Sequence, residues 1–474
     1  MSYTITQAPA YPKIMPVGTD WIYTVYSTEA TSFTNWKYKY FVDVYVGNLG
    51  GTFRVRLKFS PNANGVGIVN LSDIYEQYVK PSQLGSVFSG IESGFKGVDN
   101  VAGSECPIHL IDKCSLNTGN MVLATLGWGE EYATNSTDAP TEYPGLAYST
   151  GTATWNGMAY NNEDKRVAGE YGIDVTDWNG NNYIPASTWD LFLTNAPKGN
   201  TLNVGQSVRL GDYGTLAWLN GDYGTPASRA DAVLIQFFNS ATGYISQDTY
   251  DLNAANGAFD ASWETYVGDA REGMQFIGTC PGNLLGAGIT IPVNTDMYVV
   301  MLIDGAAVAS YPMQYHLMED DCKGYEAIRL TWLNKFGTWD YYNFTKKSEK
   351  STEVKRTHYN QVKGSWQGAT FEKDGYERGL TTLHTKAVSK MTINSDWVRT
   401  DEEAAWLEEL FISPKVYILE SYDATDTAPA EYGKYLTPVQ ITNKKYQRYT
   451  RANDKVAQYS VDIEYAINKR IQRA

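Results

Sequence analysis

The acidic residues that could do chemistry lie in two short clusters. Glu130 and Glu131 are adjacent, and Glu319, Asp320 and Asp321 form a second run. Two carboxyl groups held about 5 to 9.5 Å apart can cleave a glycosidic bond. Glu130 and Glu131 fall in a predicted strand, where adjacent side chains point to opposite faces, so they make a poor catalytic pair. We therefore expect solvated loops or a weak cation site at both clusters.

The histidines provide no recognisable catalytic motif. His109, His316, His358 and His384 are scattered along the chain, and none falls in a triad signature. The chain also lacks the GxGxxG, Walker, HExxH, GxSxG and EF-hand patterns. The sequence therefore predicts a protein that is not an enzyme and that uses no cofactor.

The four cysteines are too few for a disulfide scaffold in a chain of 474 residues. They show no CxxC spacing, and we expect buried or loop thiols in a reducing compartment. Cys106, His109 and Cys114 could form part of a zinc site, but no fourth ligand lies near them in the sequence. The pattern therefore favours structural thiols over a metal centre.

The composition predicts strands and tight turns. Hydrophobic residues make up 43% of the chain and charged residues 19%, with 36 Tyr, 13 Trp and 42 Gly. These residue types favour β-structure and turns over helices. No stretch of about 18 apolar residues occurs, so we expect no membrane span. The first residues also lack the basic and apolar regions of a secretory signal.

The net charge of -14 is unevenly distributed. Residues 322–474 hold 24 basic and 20 acidic residues, whereas residues 1–321 hold 15 and 33. The acidic part argues against nucleic-acid binding. The uneven charge either keeps the protein soluble or reflects two regions that face different partners in an assembly.

Strand patterns recur through the first two-thirds of the chain. The clearest is 53–59, where apolar residues alternate with Arg54, Arg56 and Lys58 and predict one buried face. A short helix follows, with Ser72 or Asp73 near its cap and Pro81 at its end. The other predicted strands are 20–27, 38–46, 121–132, 206–221, 230–240 and 295–304, with long loops at 83–107 and 133–190.

The last third combines strands with one capped helix. Thr400 and Glu403 fit a capping box, and an apolar stripe at helical spacing follows them. Strands are predicted at 416–420 and 456–467. The fold class is therefore mainly β, with antiparallel β-sandwich domains, long loops and a few short helices. We expect three domains, at 1–110, 111–321 and 322–474.

Residues 325–344 form the most distinctive segment and predict an aromatic β-hairpin. Ile328, Leu330 and Trp332 alternate with polar residues, and a turn ending at Gly337 follows. We expect Trp332 to anchor the core of the C-terminal region, because it continues the apolar face of this strand.

Three parts of the chain resemble structural proteins of tailed bacteriophages, particularly tail-tip or baseplate proteins of marine or Bacteroidetes phages. The first is the opening module, with PAYPKIMPVGTDWIYTVYS, YKYFVDVYV and RVRLKFSPNANGVGIVNLSDI. The second is CKGYEAIRLTWLNKFGTWDYYNFTKKSEKS at 322–351. The third is WLEELFISPKVYI at 406–418 with NDKVAQYSVDIEYA at 453–466.

The resemblance implies a virion structural protein that is assembled in the host cytoplasm and works in a symmetric assembly. Its implied partners are copies of itself and other virion proteins, with a host surface glycan as a further possibility. Aromatic residues enclosed by charge are typical of interfaces, so we expect contacts at Trp339, Tyr341, Lys346, Lys347 and Lys350. A carbohydrate-binding adhesin or receptor-binding tail protein is the alternative, and a glycan-degrading enzyme is the second alternative.

Overall fold

The computed structural model describes residues 3–9, 14–46, 52–79, 112–114, 121–148, 152–155, 157, 192–197, 205–219, 230, 232–252, 274–304, 307–318, 325–361, 369–371, 379–398, 400–419, 436–447 and 458–467. The chain divides into two compact units. The first comprises Met1–Asp320, Leu333–Tyr341 and Ser421–Tyr432, and the second Asp321–Trp332, Tyr342–Glu420 and Gly433–Ala474. The predicted division into three domains stays a prediction.

The first unit is built mainly of strands. Strands β1 to β18 are, in chain order, Tyr3–Gln7, Ile14–Pro16, Ile22–Ser27, Trp36–Val46, Thr52–Phe59, Val66–Asn70, Asp112–Cys114, Met121–Ala133, Thr141–Tyr148, Thr152–Trp155, Gln206–Val208, Thr215–Leu219, Ala232–Asn239, Gly243–Asp251, Met274–Gly278, Met297–Asp304, Ala307–Val308 and Met313–Leu317. Helices α1 (Ser72–Glu76) and α2 (Pro281–Gly286) and a 3-10 turn at Thr28–Thr31 complete it. The mainly β fold class is confirmed.

The described strands of the first unit form four sheets. Their orders are β1-β3-β6, then β2-β10-β8-β4-β5 with β9 paired to β8, then β11-β18-β16-β13-β14 with β17 paired to β16, and β12-β15-β7. Most pairs are antiparallel, whereas β2 with β10 and β11 with β18 are parallel. These antiparallel and mixed sheets agree with the predicted β-sandwich architecture.

One hydrophobic core joins three of these sheets. It contains Tyr23 of β3, Val42 of β4, Trp128 of β8, Trp155 of β10 and Phe276 of β15, all buried. Because aromatic side chains bury about 150–250 Å² each, they supply much of the area that such a core removes from water. Many of the aromatic residues that mark the composition are therefore structural.

The strand predicted at 53–59 matches β5 but has only a partly buried face. Val55, Leu57 and Phe59 are half-buried against the core, whereas Phe53 is 49% exposed. β5 is the edge of its sheet, so the core covers only part of its length. Phe53 packs edge-on against Tyr45 of β4 instead, with ring centroids 5.7 Å apart.

Ion pairs cover part of the outer face of the same sheet. Phe41 on β4 is buried there, and the guanidinium of Arg56 lies 4.3 Å from the centre of its ring. Arg56 also pairs with Asp43 at 2.6 Å and with Glu142 at 2.7 Å. Gly129 of β8 lies beneath Phe41, where any Cβ would meet the aromatic ring. Glycine is therefore required at position 129 for this close approach.

Helix α1 is shorter than predicted and begins with a different cap. Leu71 is the N-cap and makes no side-chain cap bond. The carboxamide oxygen of Asn70 accepts hydrogen bonds from the backbone N–H of Trp21 at 3.0 Å and of Ser72 at 3.1 Å. Asn70 therefore supports the turn that Ser72 or Asp73 was expected to cap. The helix ends before Gln77, well ahead of Pro81.

The predicted loops need correction where the structure describes them. The segment 133–190 contains two strands, β9 (Thr141–Tyr148) and β10 (Thr152–Trp155). The single strand expected at 206–221 is two strands, β11 and β12. The long loop predicted at 83–107 lies outside the described residues.

The second unit contains one sheet and one helix. Strands β19 to β25 are Ile328–Leu333, Trp339–Phe344, Glu349–Asn360, Leu380–Asn394, Val416–Leu419, Leu436–Ile441 and Ser460–Tyr465, and helix α3 is Asp401–Ile412. Their order is β20-β19-β23-β24-β25-β22-β21. The segment Leu333–Tyr341, which includes the end of β19 and the first three residues of β20, is counted in the first unit. Among the described residues, no helix is long and apolar enough to cross a membrane.

Trp332 lies in the core of the second unit, as predicted. Its side chain is fully buried and packs on Trp406 of α3, with ring centroids 5.3 Å apart. The hydroxyl of Thr400 accepts a hydrogen bond from the backbone N–H of Glu403 at 3.1 Å, which confirms the predicted N-cap. The cap fixes where α3 begins and so where Trp406 meets the sheet.

The turn of the aromatic hairpin is buried. The Asn334 carboxamide accepts hydrogen bonds from the backbone N–H of Phe336 at 3.0 Å and of Thr338 at 3.1 Å. Gly337 has φ +75°, as expected for the glycine of this turn. The indole N–H of Trp155 donates to the Phe336 carbonyl at 2.8 Å. Polar groups of the turn are thus satisfied inside the first unit.

Candidate functional site

Strands β21 and β22 form a two-stranded ribbon that extends past the sheet of the second unit. β22 pairs with β25 only over Lys390–Asn394, but it pairs with β21 over Leu380–Thr392. All twelve residues of β21 are exposed. Because a two-stranded hairpin alone is marginally stable in water, this ribbon would gain stability from a partner.

The sequence of β21 explains why the ribbon has no buried face. Its two large apolar residues, Val354 and Tyr359, are five positions apart and so lie on opposite faces. Each is 41% exposed, and Leu380 and Leu383 on β22 are 65% and 53% exposed. The apolar side chains are too dispersed to join a core, yet they remain available for contact.

The ribbon strands are basic. They contain five Lys or Arg and two Glu, namely Lys350, Lys355, Arg356, Lys386, Lys390, Glu349 and Glu353. Lys355 lies directly opposite Lys386 in the register. Like charges at directly opposite positions destabilise a strand pair. Among the described residues, neither Arg356 nor Lys386 takes part in an ion pair.

The carboxylate of Glu353 pairs with two of the lysines. Lys390 donates to Glu353 at 2.6 Å, and Lys355 lies 3.2 Å from the same carboxylate. The hydrogen bond from Lys390 is the main cause that lowers the pKa of Glu353, with Lys355 adding to it. The same bond raises the pKa of Lys390. The base of the ribbon is therefore held by charge pairing, while its outer part keeps excess positive charge.

A groove of about 360 Å³ lies where the ribbon leaves the sheet. It is lined by Lys350 and Thr352 of β21, Ser389 of β22, and Tyr465 and Ile467 at the end of the last strand. The Ser389 hydroxyl is buried without a hydrogen-bond partner. The lining therefore combines ammonium and hydroxyl groups with apolar side chains.

The two aromatic residues expected at an interface are buried inside the chain. Trp339 and Tyr341 are each 4% exposed. The Tyr341 hydroxyl shares a hydrogen bond with the Thr215 hydroxyl at 2.9 Å. Their side chains therefore serve packing within this chain.

The three lysines expected at an interface lie at the base of the ribbon and in the segment that enters it. Lys346 is half-buried and pairs with Asp396 at 2.9 Å, and Lys350 pairs with Glu326 at 2.9 Å. Lys347 is exposed. Lys347 and Lys350 are thus exposed and Lys346 only partly so, and the role of all three in an interface stays a prediction.

The adjacent acids Glu130 and Glu131 make separate structural contacts. The Tyr38 hydroxyl donates to Glu130 at 2.6 Å, whereas Lys58 pairs with Glu131 at 2.5 Å. Burial and the bond to Glu130 raise the pKa of Tyr38. Both carboxylates are buried in β8 and already bonded, so the expected solvated loop or weak cation site is wrong for this pair. Their separate partners agree with adjacent strand residues that point to opposite faces. The run 319–321 lies outside the described residues.

The candidate metal ligands are only partly described. Cys106 and His109 lie outside the described residues, and Cys114 ends β7. Within the described segments, no group of three or more His, Cys, Asp or Glu is arranged to hold a metal ion. His316 is close to Gln314, and burial lowers its pKa. The zinc hypothesis therefore gains no support from the described segments.

The sequence predicts a strand at VKRTHY, residues 354–359, but not the two-stranded ribbon, although a signal for the ribbon is present. Residues 349–360 and 380–394 are rich in Thr and Lys, and neither segment carries two-residue apolar alternation along its whole length. Strand-forming residues without an apolar face are typical of a strand exposed on both sides. Such a pattern indicates strands that project from a domain.

Comparison with known proteins gives no assignment. No protein-family model matches the chain, and no curated protein matches it. Among solved structures, Escherichia coli alpha-2-macroglobulin activated by porcine elastase is similar at 9% identity and TM-score 0.14, over 83% of this chain and 30% of that one. The Bacillus anthracis TIE protein is similar at 7% identity and TM-score 0.11, over 82% and 68%. The chain thus spans under a third of the alpha-2-macroglobulin, and likenesses this weak carry no functional information.

Proposed function

We propose that this protein is a structural component of a tailed bacteriophage virion, in the tail tip or baseplate, and works as a repeated part of a symmetric assembly. The observation that carries the proposal is the ribbon β21–β22, whose outer part is exposed on both faces and keeps surplus positive charge. A ribbon of this kind is more stable when a neighbouring protein covers it. The resemblance of three segments to phage tail proteins supplies the class of assembly.

The uneven charge supports contacts with unlike surfaces. Residues 1–321 are strongly acidic, and the ribbon lies in the mildly basic remainder. Oppositely charged surfaces steer association and fix the orientation of partners. The proposed partners are further copies of the chain and other virion proteins, and the proposed location is the virion, assembled in the host cytoplasm.

A stack of three tyrosines in the first unit, of which only Tyr143 is exposed, favours packing within the protein over sugar binding. Tyr132 lies between Tyr38 and Tyr143, with interplanar angles of 13° and 19° and centroids 5.8 Å and 4.5 Å away. Rings stacked on one another cover the faces that a sugar would use. The adhesin alternative predicts a flat aromatic platform, and this stack does not provide one.

The proposal is tested by locating and counting the protein. Purified chain is analysed by mass photometry across a concentration series, and purified phage particles are labelled with antibody against it. We expect discrete multiples of the chain mass and label at one end of the tail. A chain that stays monomeric at every concentration and is absent from particles would overturn the proposal.

A further inference from the structure

We propose that the ribbon strand β21 of one copy pairs with strand β14 of a neighbouring copy, edge to edge, and so links copies head to tail. This inference rests on the proposed function, because it names the contact through which the symmetric assembly would form. The partner of the ribbon is a second copy of this chain.

Strand β14 is an open edge of suitable length. It has nine residues, Gly243–Asp251, and pairs with β13 alone among the described strands. Its residues Gln247, Asp248 and Thr249 are all exposed, although consecutive strand residues point to opposite faces. Tyr244 is 54% exposed. Both faces of β14 are therefore accessible over residues 247–249, whereas Tyr250 is buried.

The charges of the two strands are complementary. Strands β13 and β14 contain Asp248 and Asp251 and no Lys or Arg. Strand β21 presents Lys350, Lys355 and Arg356 against two acids, Glu349 and Glu353, and so keeps one surplus positive charge. Lysine on an exposed edge discourages indiscriminate strand pairing, so an acidic edge is the partner that β21 would accept. An acidic strand beside Lys355 would also relieve its repulsion with Lys386.

The other described edges fit the ribbon less well. β5 carries Arg54, Arg56 and Lys58 and would repel it. β1 and β6 are five residues long and lack acidic residues, while β20 is buried along its whole length. β9 has eight residues and one acid, Glu142, which already pairs with Arg56. The remaining edge strands, β2, β7, β11, β12 and β17, are five residues long or shorter. Among the described edges, β14 is therefore the longer one that carries two acids and no basic residue.

The proposed contact is heterologous, because it joins different surfaces of the two copies. Each copy would give its ribbon to one neighbour and receive a ribbon on β14 from another. Such contacts generate a ring when the rotation between copies closes. Backbone hydrogen bonds between strands would supply affinity, and the charges would supply selectivity.

The contact is tested by photo-crosslinking between isotopically distinct copies. The photoreactive residue p-benzoylphenylalanine replaces Val354, which is 41% exposed and uncharged, in an unlabelled chain. This chain is assembled with ¹⁵N-labelled wild type, irradiated, digested and analysed by mass spectrometry. The same residue at Val293, 86% exposed in the first unit, is the matched control.

The expected product is a mixed-isotope peptide that joins position 354 to residues 243–251, absent from the Val293 control. A ring whose mixed-isotope crosslinks fall elsewhere, or that forms none from position 354, would overturn the inference and leave the proposed function standing. A chain that forms no assembly under any condition would overturn both.

Charge reversal provides an independent measurement. Lys355→Glu together with Lys386→Glu should raise the concentration needed for assembly about tenfold. Asp248→Lys in the same chain should restore assembly, and circular dichroism checks that each variant is folded. Loss of assembly without rescue by Asp248→Lys would contradict pairing with β14.

Discussion

Lys355 on β21 and Lys386 on β22 lie directly opposite each other, in a ribbon that projects from the sheet of the second unit. Lys355 shares Glu353 with Lys390, and within the described residues Lys386 has no ion pair. Two like charges at opposed positions weaken the isolated ribbon. The arrangement is explained if the ribbon is adapted to an acidic partner.

Lys386→Glu should therefore have opposite effects on the stability of the isolated ribbon and on assembly. The new pair with Lys355 should stabilise the isolated ribbon, by on the order of 0.2–1 kcal/mol, because opposite charges then face each other. The same change should weaken assembly, because it removes positive charge from the contact surface. Proteolysis of the ribbon in the monomer and sedimentation of the assembly measure the two effects. Equal or stronger assembly by the variant would contradict the electrostatic account.

The base of the ribbon should be sensitive to acid. Lys390, and then Lys355, hold the pKa of Glu353 below its ordinary value of 4.5. A carboxyl group with a lowered pKa stabilises the folded state above the unfolded value, and this contribution is lost as the pH falls through the lower folded value. The difference in melting midpoint between wild type and Glu353→Gln should thus be present at pH 7 and shrink below pH 4.5. A difference that stays constant down to pH 3 would refute this role.

Trp332→Ala should destabilise the second unit by about 3–5 kcal/mol, because it removes a fully buried aromatic side chain that packs on Trp406. Denaturant unfolding followed by circular dichroism measures the change. Trp397→Ala is the matched control, since that tryptophan is 52% exposed in the same unit. Equal effects of the two substitutions would show that Trp332 is not a core anchor.

Gly129→Ala should destabilise the first unit by about 1–3 kcal/mol, because the added methyl group meets the buried ring of Phe41. Phe41→Leu in the same chain should recover part of the loss by making room. Gly211→Ala is the control, because no atom lies within 4 Å of its added Cβ. The comparison uses melting temperatures of the three variants, and a tolerated Gly129→Ala would show that Phe41 can move aside.

Local patterns predicted the elements whose cause is local. The N-cap of α3 follows from Thr400, and the buried face of β25 follows from the alternation of Val461 and Ile463. The position of Trp332 in the core follows from the apolar face of β19. In each case, residues within a few positions determine the outcome.

The burial of Trp339 and Tyr341 does not follow from local pattern, because their surroundings come from distant parts of the chain. The turn after Trp332 looks exposed in sequence, with its Asn, Lys and Gly. In the structure the Leu193 carbonyl accepts hydrogen bonds from Asn334 at 2.9 Å and Thr338 at 2.7 Å. Partners more than 140 positions away satisfy the polar groups, so Trp339 and Tyr341 can be buried beside them.

The ribbon was missed for the converse reason. Its strands lack the apolar face by which half-buried strands are recognised, so the exposed pair β21–β22 gave no periodic signal. The strands β9 and β10 were missed because their Gly, Pro and Thr content is typical of loops. In both cases, pairing with a neighbouring strand determines the structure.

The central claim, that this chain is a repeated part of a symmetric phage assembly, is tested most directly by an electron cryomicroscopy map of intact particles. We expect several symmetry-related copies at the tail tip or baseplate, each with its ribbon covered by a neighbour and with more than about 1,000 Å² buried per contact. A chain seen as an isolated appendage, with an uncovered ribbon and one small wet contact, would contradict the account.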